Sequence, residues 1–360
     1  MLRIIIPASI LLLITAIALP ILWLSSSANN VALVAAEQAE FPPAAPQAAF
    51  ASPPRLDKPD TPAATTPTES STADAEFRLR VLRGDAVYEM SMADFLIGVV
   101  AAEMPVSFAP QALQAQAVAA RTFTLYRKQN AGPNRHPEAD ICGNYACCKA
   151  YASYDTLRER WGNDFDTHRA TITRAVLETD GVILLYNNSP ILAAFHAASS
   201  GFTEAAESIW NPRPYLQSVR SFESPWDVPR YEYSRILPLE EFRAAILAAH
   251  PTANLPPDNA ANWITNQTYT ESGRLSALDI GGVTLAGIEL RSLLNLRSTA
   301  VDFTFSEDAV TITTRGHGHG IGMSQYGANT LAGLGFDYRA ILAWYYTDIT
   351  FGHLIGFANI

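Results

Sequence analysis

The stretch that most constrains this chain is PQALQAQAVAARTFTLYRKQ, beginning at Pro110. It is Ala-rich and apolar almost all round, so as a helix it has no face suited to water and belongs inside. With 360 residues, 48% of them hydrophobic, the chain can wrap such a helix in one sizeable core or in two lobes of one. Arg121 stands in the middle of it, in AVAARTF. A guanidinium there needs an anion to offset its desolvation, and the candidates are a substrate group, Glu103 or Asp94.

Two N-terminal segments are unlike the rest. After Arg3 comes IIIPASILLLITAIALPILWL, which has no charge and at helical rise is long enough to cross a bilayer. Residues 1–28 therefore read as a transmembrane anchor, with the bulk of the chain exported; a cleaved signal is the alternative. Residues 29–76 are rich in Pro, Ala, Ser and Thr and cannot pack a core, so they read as a disordered linker. As a tether the linker spans about 40 Å as a coil and roughly 150 Å if extended. The formal charge of −10, with no Lys/Arg cluster, argues against nucleic acid as a partner.

Residues 77–360 read as the folded domain. FRLRVLRGDAVYEM alternates apolar and polar positions around a turn and reads as a hairpin. Ser91 then caps a helix over MADFLIGVVAAE, with Asp94 at the reciprocal capping position and Pro105 as the stop. Further helices are expected at YDTLRERW, LEEFRAAILAAH, from about Ser324, and in YRAILAWYY. Strands are expected at GVILLYNNSPILAAFHA, turning at Asn187 and Asn188, and at ALDIGGVTLAG and AVTITTR. The irregular alternation points to an α+β fold of mixed helices and short strands in one bilobed domain, and not to a doubly wound sheet.

Glu103 draws attention within that first helix. The apolar stripe Met92, Phe95, Leu96, Val99 continues at helical spacing onto Glu103, in the last turn before Pro105. Burial and the negative end of the helix dipole both favour a carboxyl that holds its proton, as an acid/base catalyst must. A close pairing with Arg121 would act the other way.

Two further clusters carry chemistry. His136, Cys142, Cys147 and Cys148 lie in HPEADICGNYACC, with the ligand types and count of a closed structural zinc site. A disulfide plus a free thiol, or a three-ligand site, are the other readings. Near the end, RGHGHGIGMSQYGA sets His317 and His319 at alternate positions of a Gly-rich loop, and FHAASSGFTE brings His196, Ser199, Ser200 and Thr203 to the end of a strand. Together they can line a polar, sugar-binding cleft. A catalytic metal on His196, His317 and His319 ranks below it, because no metalloprotease spacing accompanies them.

FLIGVVAAEMPVSFAPQALQAQAVAARTFTL, HPEADICGNYACCKAY, AAFHAASSGFTEAAESIW, LRS with DFTF, and GHGHGIGMSQYGANTLAGLGFDYRAILAWYYTDITF, in this order, resemble the stage II sporulation protein D and amidase-enhancer family. The resemblance implies a membrane-anchored lytic transglycosylase with its catalytic domain outside the cytoplasm, cutting peptidoglycan glycan strands to 1,6-anhydro ends. It makes Glu103 the acid/base and Arg121 its support. It supports the four-ligand zinc set and adds Gln116, Ser324, Gln325 and Tyr326 to the sugar-binding candidates. It also implies a peptidoglycan amidase as a partner. The rival expectations are a wall-binding enhancer of an amidase that cuts nothing itself, and a zinc-dependent amidase.

Overall fold

The computed structural model describes residues 72–130 and 136–357. The expected anchor lies outside the described residues, as does the linker up to residue 71. Among the described residues no helix is long and apolar enough to cross a membrane.

The described chain begins with a single helical turn, α1 (Ala73–Glu76). The hairpin follows as β1 (Arg78–Arg83) and β2 (Ala86–Ser91), and the two-residue β3 (Ile141–Cys142) adds in parallel to β1. Ser91 begins α2 (Met92–Glu103) as expected: its hydroxyl accepts from the Asp94 N–H at 3.1 Å and donates to the Asp94 carboxylate at 2.6 Å. The apolar stretch is α3 (Pro110–Asn130), with every residue from Ala112 to Leu125 buried. It is enclosed by α2, by α4 (Tyr154–Trp161) and α5 (Phe165–Leu177) beyond it, and by the strands of a second small sheet.

That sheet pairs β4 (Val182–Tyr186) with β5 (Ser189–Pro190) through a two-residue turn. Asn187 and Asn188 there adopt φ of 48° and 60°, the left-handed pair such a hairpin demands. Next comes β6 (Phe195–His196), which is the site's ledge.

The chain then leaves for a second hydrophobic core. β7 (Glu232–Pro238), α6 (Leu239–Ala249), β8 (Ile264–Tyr269), β9 (Leu275–Ile280), β10 (Val283–Ala286), α7 (Gly287–Leu293), β11 (Val301–Phe305) and β12 (Ala309–Arg315) build two three-stranded antiparallel sheets. They close over Phe242, Trp263 and Phe305, whose rings lie 6.2–6.3 Å apart, a hydrophobic core separate from the one around α3. Returning to the first core, β13 (Met323–Ser324) pairs in parallel with β6. α8 (Gln325–Gly333) and α9 (Tyr338–Tyr345) then pack on α3, and β14 (Thr350–His353) joins β4. The fold class is α+β.

Candidate functional site

Glu103 ends α2 half-buried. One carboxylate oxygen accepts from the Ala150 backbone N–H at 3.2 Å and the other from the Gln325 side-chain amide at 3.3 Å. These partners come from opposite ends of the domain. Ala150 arrives because the segment after the cysteine loop lies directly on α2. The Ala152 N–H donates to the Gly98 carbonyl at 3.1 Å, and a Cβ at Gly98 would sit 2.3 Å from the Tyr151 ring. Gln325 arrives at the start of α8, whose cap is Ser324, one residue beyond the β13–β6 pairing.

Lys149 is the charge that faces this carboxylate. Its ammonium is buried over the rings of Phe195, at 3.3 Å, and Phe123, at 4.1 Å. Burial brings its pKa down to about 8, against the opposing pull of Glu103. Lys149 sits amid cysteines in the sequence, and nothing there marks it as a neighbour of Glu103.

Arg121 does not share this site. It is fully buried and donates to the Asp74 carboxylate from Nε at 2.7 Å and from Nη2 at 2.6 Å. It also donates to the carbonyls of Val182 and Val176 and to the Thr179 hydroxyl. The expected anion is therefore neither Glu103, nor Asp94, nor substrate. Asp74 belongs to a stretch whose composition reads as linker; it is ordered because Asp180 accepts the N–H groups of Ala73 and Asp74, both at 2.9 Å. Asp180 thus acts as a cap supplied from elsewhere in the chain.

Around β6 and β13 the structure gathers the three histidines. Gly316, Gly318, Gly320 and Gly322 all have positive φ, so the alternating glycines are conformationally required. His196 is buried and His319 partly buried, with rings 5.7 Å apart, and the Trp210 ring lies tilted 4.9 Å from His319. Their proton positions follow from their partners. The Ile321 carbonyl accepts from His196 Nδ1, which leaves Nε2 as a lone pair with no protein partner. His319 Nδ1 accepts the Ile321 N–H at 3.0 Å, so its proton sits on Nε2. His317 Nδ1 accepts from Arg297 Nη2 at 3.2 Å, because a guanidinium can only donate. Burial holds His317 at about 4 and His319 at about 3, and His196 well below its ordinary value, so all three are neutral near pH 7. The Nδ1 atoms of all three are engaged, so a shared metal would have to be met by their Nε2 atoms.

The remaining expected residues divide. Ser324 donates to the buried Glu223 carboxylate at 2.7 Å, and the Ser199 N–H donates to the same oxygen, so Glu223 ties the segment after β6 to the start of α8. Glu223 and Lys149 are the members that sequence reading missed, because neither stands in a patterned motif. Ser200 carries a buried hydroxyl without a protein partner, and Tyr326 packs edge-on against Phe108 at 4.9 Å. Thr203 is spent on backbone bonds, accepting from the Val219 N–H at 2.9 Å. Gln116 is completely enclosed in α3. Both side chains are shut off from solvent, unlike the half-buried Glu103.

His136, Cys142, Cys147 and Cys148 converge as expected, with one ligand atom from each all within 4.8 Å of one another. The cysteines form no disulfide. A helical turn, with the N–H groups of Cys147 and Cys148 both donating to the Asn144 carbonyl, lets the adjacent cysteines aim inward together; their sulfurs lie 3.9 Å apart. Burial pushes the Cys142 thiol up to about 12, so a metal ion ligated there would have to displace its proton. The set can hold one metal ion in closed coordination.

With this geometry in view, comparison with known proteins places the chain. A family model described as SpoIID, Stage II sporulation protein, matches residues 83–186. Stage II sporulation protein D of Bacillus subtilis (strain 168) is 36% identical over 277 residues, which cover 76% of this chain and 78% of the relative. The protein of the same name from Bacillus amyloliquefaciens is 37% identical over 267 residues, 73% and 75% of the two chains. The chain belongs to the stage II sporulation protein D family. The amidase enhancer of Bacillus subtilis (strain 168) is 27% identical over 302 residues, 71% of this chain and 40% of that protein. The stretch matched by the stage II sporulation protein D model contains Glu103, the cysteine loop, Lys149 and Ala150, and ends before His196 and the Gly-rich loop.

Proposed function

We propose that this chain is an exported, membrane-anchored lytic transglycosylase that cleaves the peptidoglycan bond between N-acetylmuramic acid and N-acetylglucosamine. The observation that carries the reading is Glu103: a half-buried carboxylate at a helix end, its two oxygens fixed by the Ala150 N–H and the Gln325 amide, with the buried Lys149 ammonium acting on it. Glu103 gives its proton to the glycosidic oxygen as the bond to muramyl C1 breaks. It then takes the proton of the muramyl 6-hydroxyl as that oxygen bonds to C1. The carboxyl ends as it began, no water is consumed, and the product carries a 1,6-anhydro ring. Between the two transfers the Lys149 ammonium offsets the charge that Glu103 carries. An ordinary glycosidase divides these tasks between two carboxylates. Here the charged neighbour is an ammonium.

The test is the product. Glu103→Gln should abolish release of anhydro-ended fragments from purified glycan by mass spectrometry while retaining binding. Undiminished release overturns the mechanism. The second reading, an amidase enhancer that cuts nothing itself, is supported by the 27% identical relative of that name. It predicts that the unaltered chain releases no fragments and instead raises the rate of an added amidase. The zinc amidase reading gains nothing from these histidines, since among the described residues the cluster that could hold a metal is the cysteine loop.

Zinc suits three thiolates and one imidazole, and here it would brace the loop that delivers Lys149 and Ala150 to Glu103. Elemental analysis of the purified chain should find one zinc per molecule, and its removal should lower the melting temperature. A metal-free chain of unchanged stability overturns that assignment.

A further inference from the structure

The second hydrophobic core, separate from the one around α3, carries a hollow that is lined by none of the residues around Glu103. It measures about 410 Å³, within the roughly 300–1,000 Å³ of small-ligand pockets, and it opens to solvent among the exposed Asn254, Asn259, Asn262 and Thr265. Three hydrogen bonds assemble it from segments distant in sequence. The Asn254 N–H donates to the Gly281 carbonyl at 2.8 Å, and the Gly281 N–H donates to the Trp263 carbonyl at 2.9 Å. The Trp263 indole, 2% exposed and parallel to the Phe242 ring, donates from Nε1 to the Pro256 carbonyl at 2.9 Å. Gly281 and Gly282 make the two-residue turn between β9 and β10, with φ of 57° and 81°. A Cβ at Gly281 would stand 2.8 Å from the Asn254 nitrogen, so only glycine lets the hairpin close on that segment.

The polar groups placed around the hollow are side-chain amides and a hydroxyl. Asn262 Nδ2 donates to Asn259 Oδ1 at 2.6 Å, which orients the pair and leaves Asn259 Nδ2 as a donor and Asn262 Oδ1 as an acceptor. Among the described residues, no protein hydrogen bond engages the side chains of Asn254 and Thr265. None of the described lining residues is charged, although the chain carries a formal charge of −10. Asp279, cross-strand from Thr265, is itself held by Asn266 at 2.7 Å and by Thr284 at 2.5 Å.

We propose that this hollow binds a neutral acetamido sugar of a glycan strand and holds the strand at a point apart from bond cleavage. The proposal deepens the peptidoglycan reading and rests on glycan being the ligand. An uncharged lining offers an ionic ligand nothing to offset its desolvation. Side-chain amides match hydroxyl and acetamido groups, which also both donate and accept. Amides set around a hollow, and not along a strand edge, suit a ring whose hydroxyls leave in several directions, and Pro256 gives its carbon–hydrogen face an apolar wall. A second point of attachment raises the effective concentration of strand for the domain.

The experiment titrates the full chain, labelled uniformly with heavy nitrogen, with chitotetraose, a neutral acetamido tetramer that has no muramyl unit to be cut. The Trp263 indole signal should shift to saturation, because its bond to Pro256 lies behind the lining amides. Replacing both exposed asparagines, Asn259→Ala and Asn262→Ala, should leave the melting temperature in place. It should weaken the affinity read from that signal roughly tenfold, equivalent to about 1.4 kcal/mol. Tetragalacturonate, of similar size but with a carboxylate on each ring, should leave the signal still. A Trp263 signal that chitotetraose does not move overturns the site, as does one that moves equally for both tetramers or with both asparagines replaced. The Gln325 side-chain amide, read in the same spectra, reports on the surroundings of Glu103 separately. Motion there with Trp263 still removes this site and leaves the transglycosylase reading standing, whereas motion at Trp263 alone keeps the site and weighs against that reading.

Discussion

Two buried arginines make opposite arrangements. Arg121 and Arg274 are 0% and 1% exposed. Nε and both Nη atoms of Arg121 have partners, from Asp74, Val182, Val176 and Thr179. Arg274 lies against the backbone of Gly320 with Nε and both Nη atoms unpartnered, and burial lowers its pKa to about 10 despite Glu204 and Glu223 nearby. The first cation braces a helix pair to the turn that precedes the domain. The second sits behind the histidine loop, where the two lobes meet in a poorly satisfied polar layer with His196 Nε2 and Glu223 Oε2. Fully hydrogen-bonded charge marks the rigid part of the molecule, and under-bonded charge gathers behind the cleft.

The largest expected effect breaks the brace. Arg121→Ala leaves Asp74 buried and unpaired, so it should cost about 3–5 kcal/mol in urea unfolding, while Arg274→Met should cost less than about 2 kcal/mol because Glu204 and Glu223 keep their other hydrogen bonds. Equal costs would erase the distinction. A smaller effect sharpens it by pH. The folded pKa values of His317 and His319, about 4 and about 3, lie below that of a free imidazole, so below pH 6.5 the unfolded chain binds more protons than the folded one. Stability should therefore fall with acid, by up to about 1.4 kcal/mol per pH unit for the more enclosed His319 and by much less for His317, which is exposed and screened by solvent. His317→Gln should flatten that slope slightly. Unfolding free energies that stay constant from pH 6.5 to 4.5 would show that the histidine layer is not held neutral.

The parts of this fold that were legible in sequence are those with local punctuation. Ser91, Asp94, Pro105 and Pro110 bound α2 and α3, and Asn187–Asn188 mark a turn. α5 passed unread because FDTHRATITRAVL mixes β-branched residues into a helix that leans on tertiary packing. β7 and β8 passed unread because they are largely exposed and lack clean alternation. Glu103 showed itself through helical spacing, and the metal ligands through their crowding. The partners of Glu103 and of Arg121 did not. Ala150 and Gln325 lie 47 and 222 positions from Glu103, and Asp74 lies 47 positions before Arg121 in a stretch of linker-like composition. No short-range pattern carries such pairings.

The bond across 222 positions also sets an order of events. A chain made from its N-terminus acquires Glu103 early, on a helix with strong local signals, but Gln325 appears only after the whole second lobe. Closing that loop waits on strongly non-local contacts, β6 with β13 and α3 with α8, which form slowly. Nascent or truncated chains therefore carry the carboxylate without the amide that orients it, and a wall-cutting activity of the kind proposed would switch on only in a finished domain.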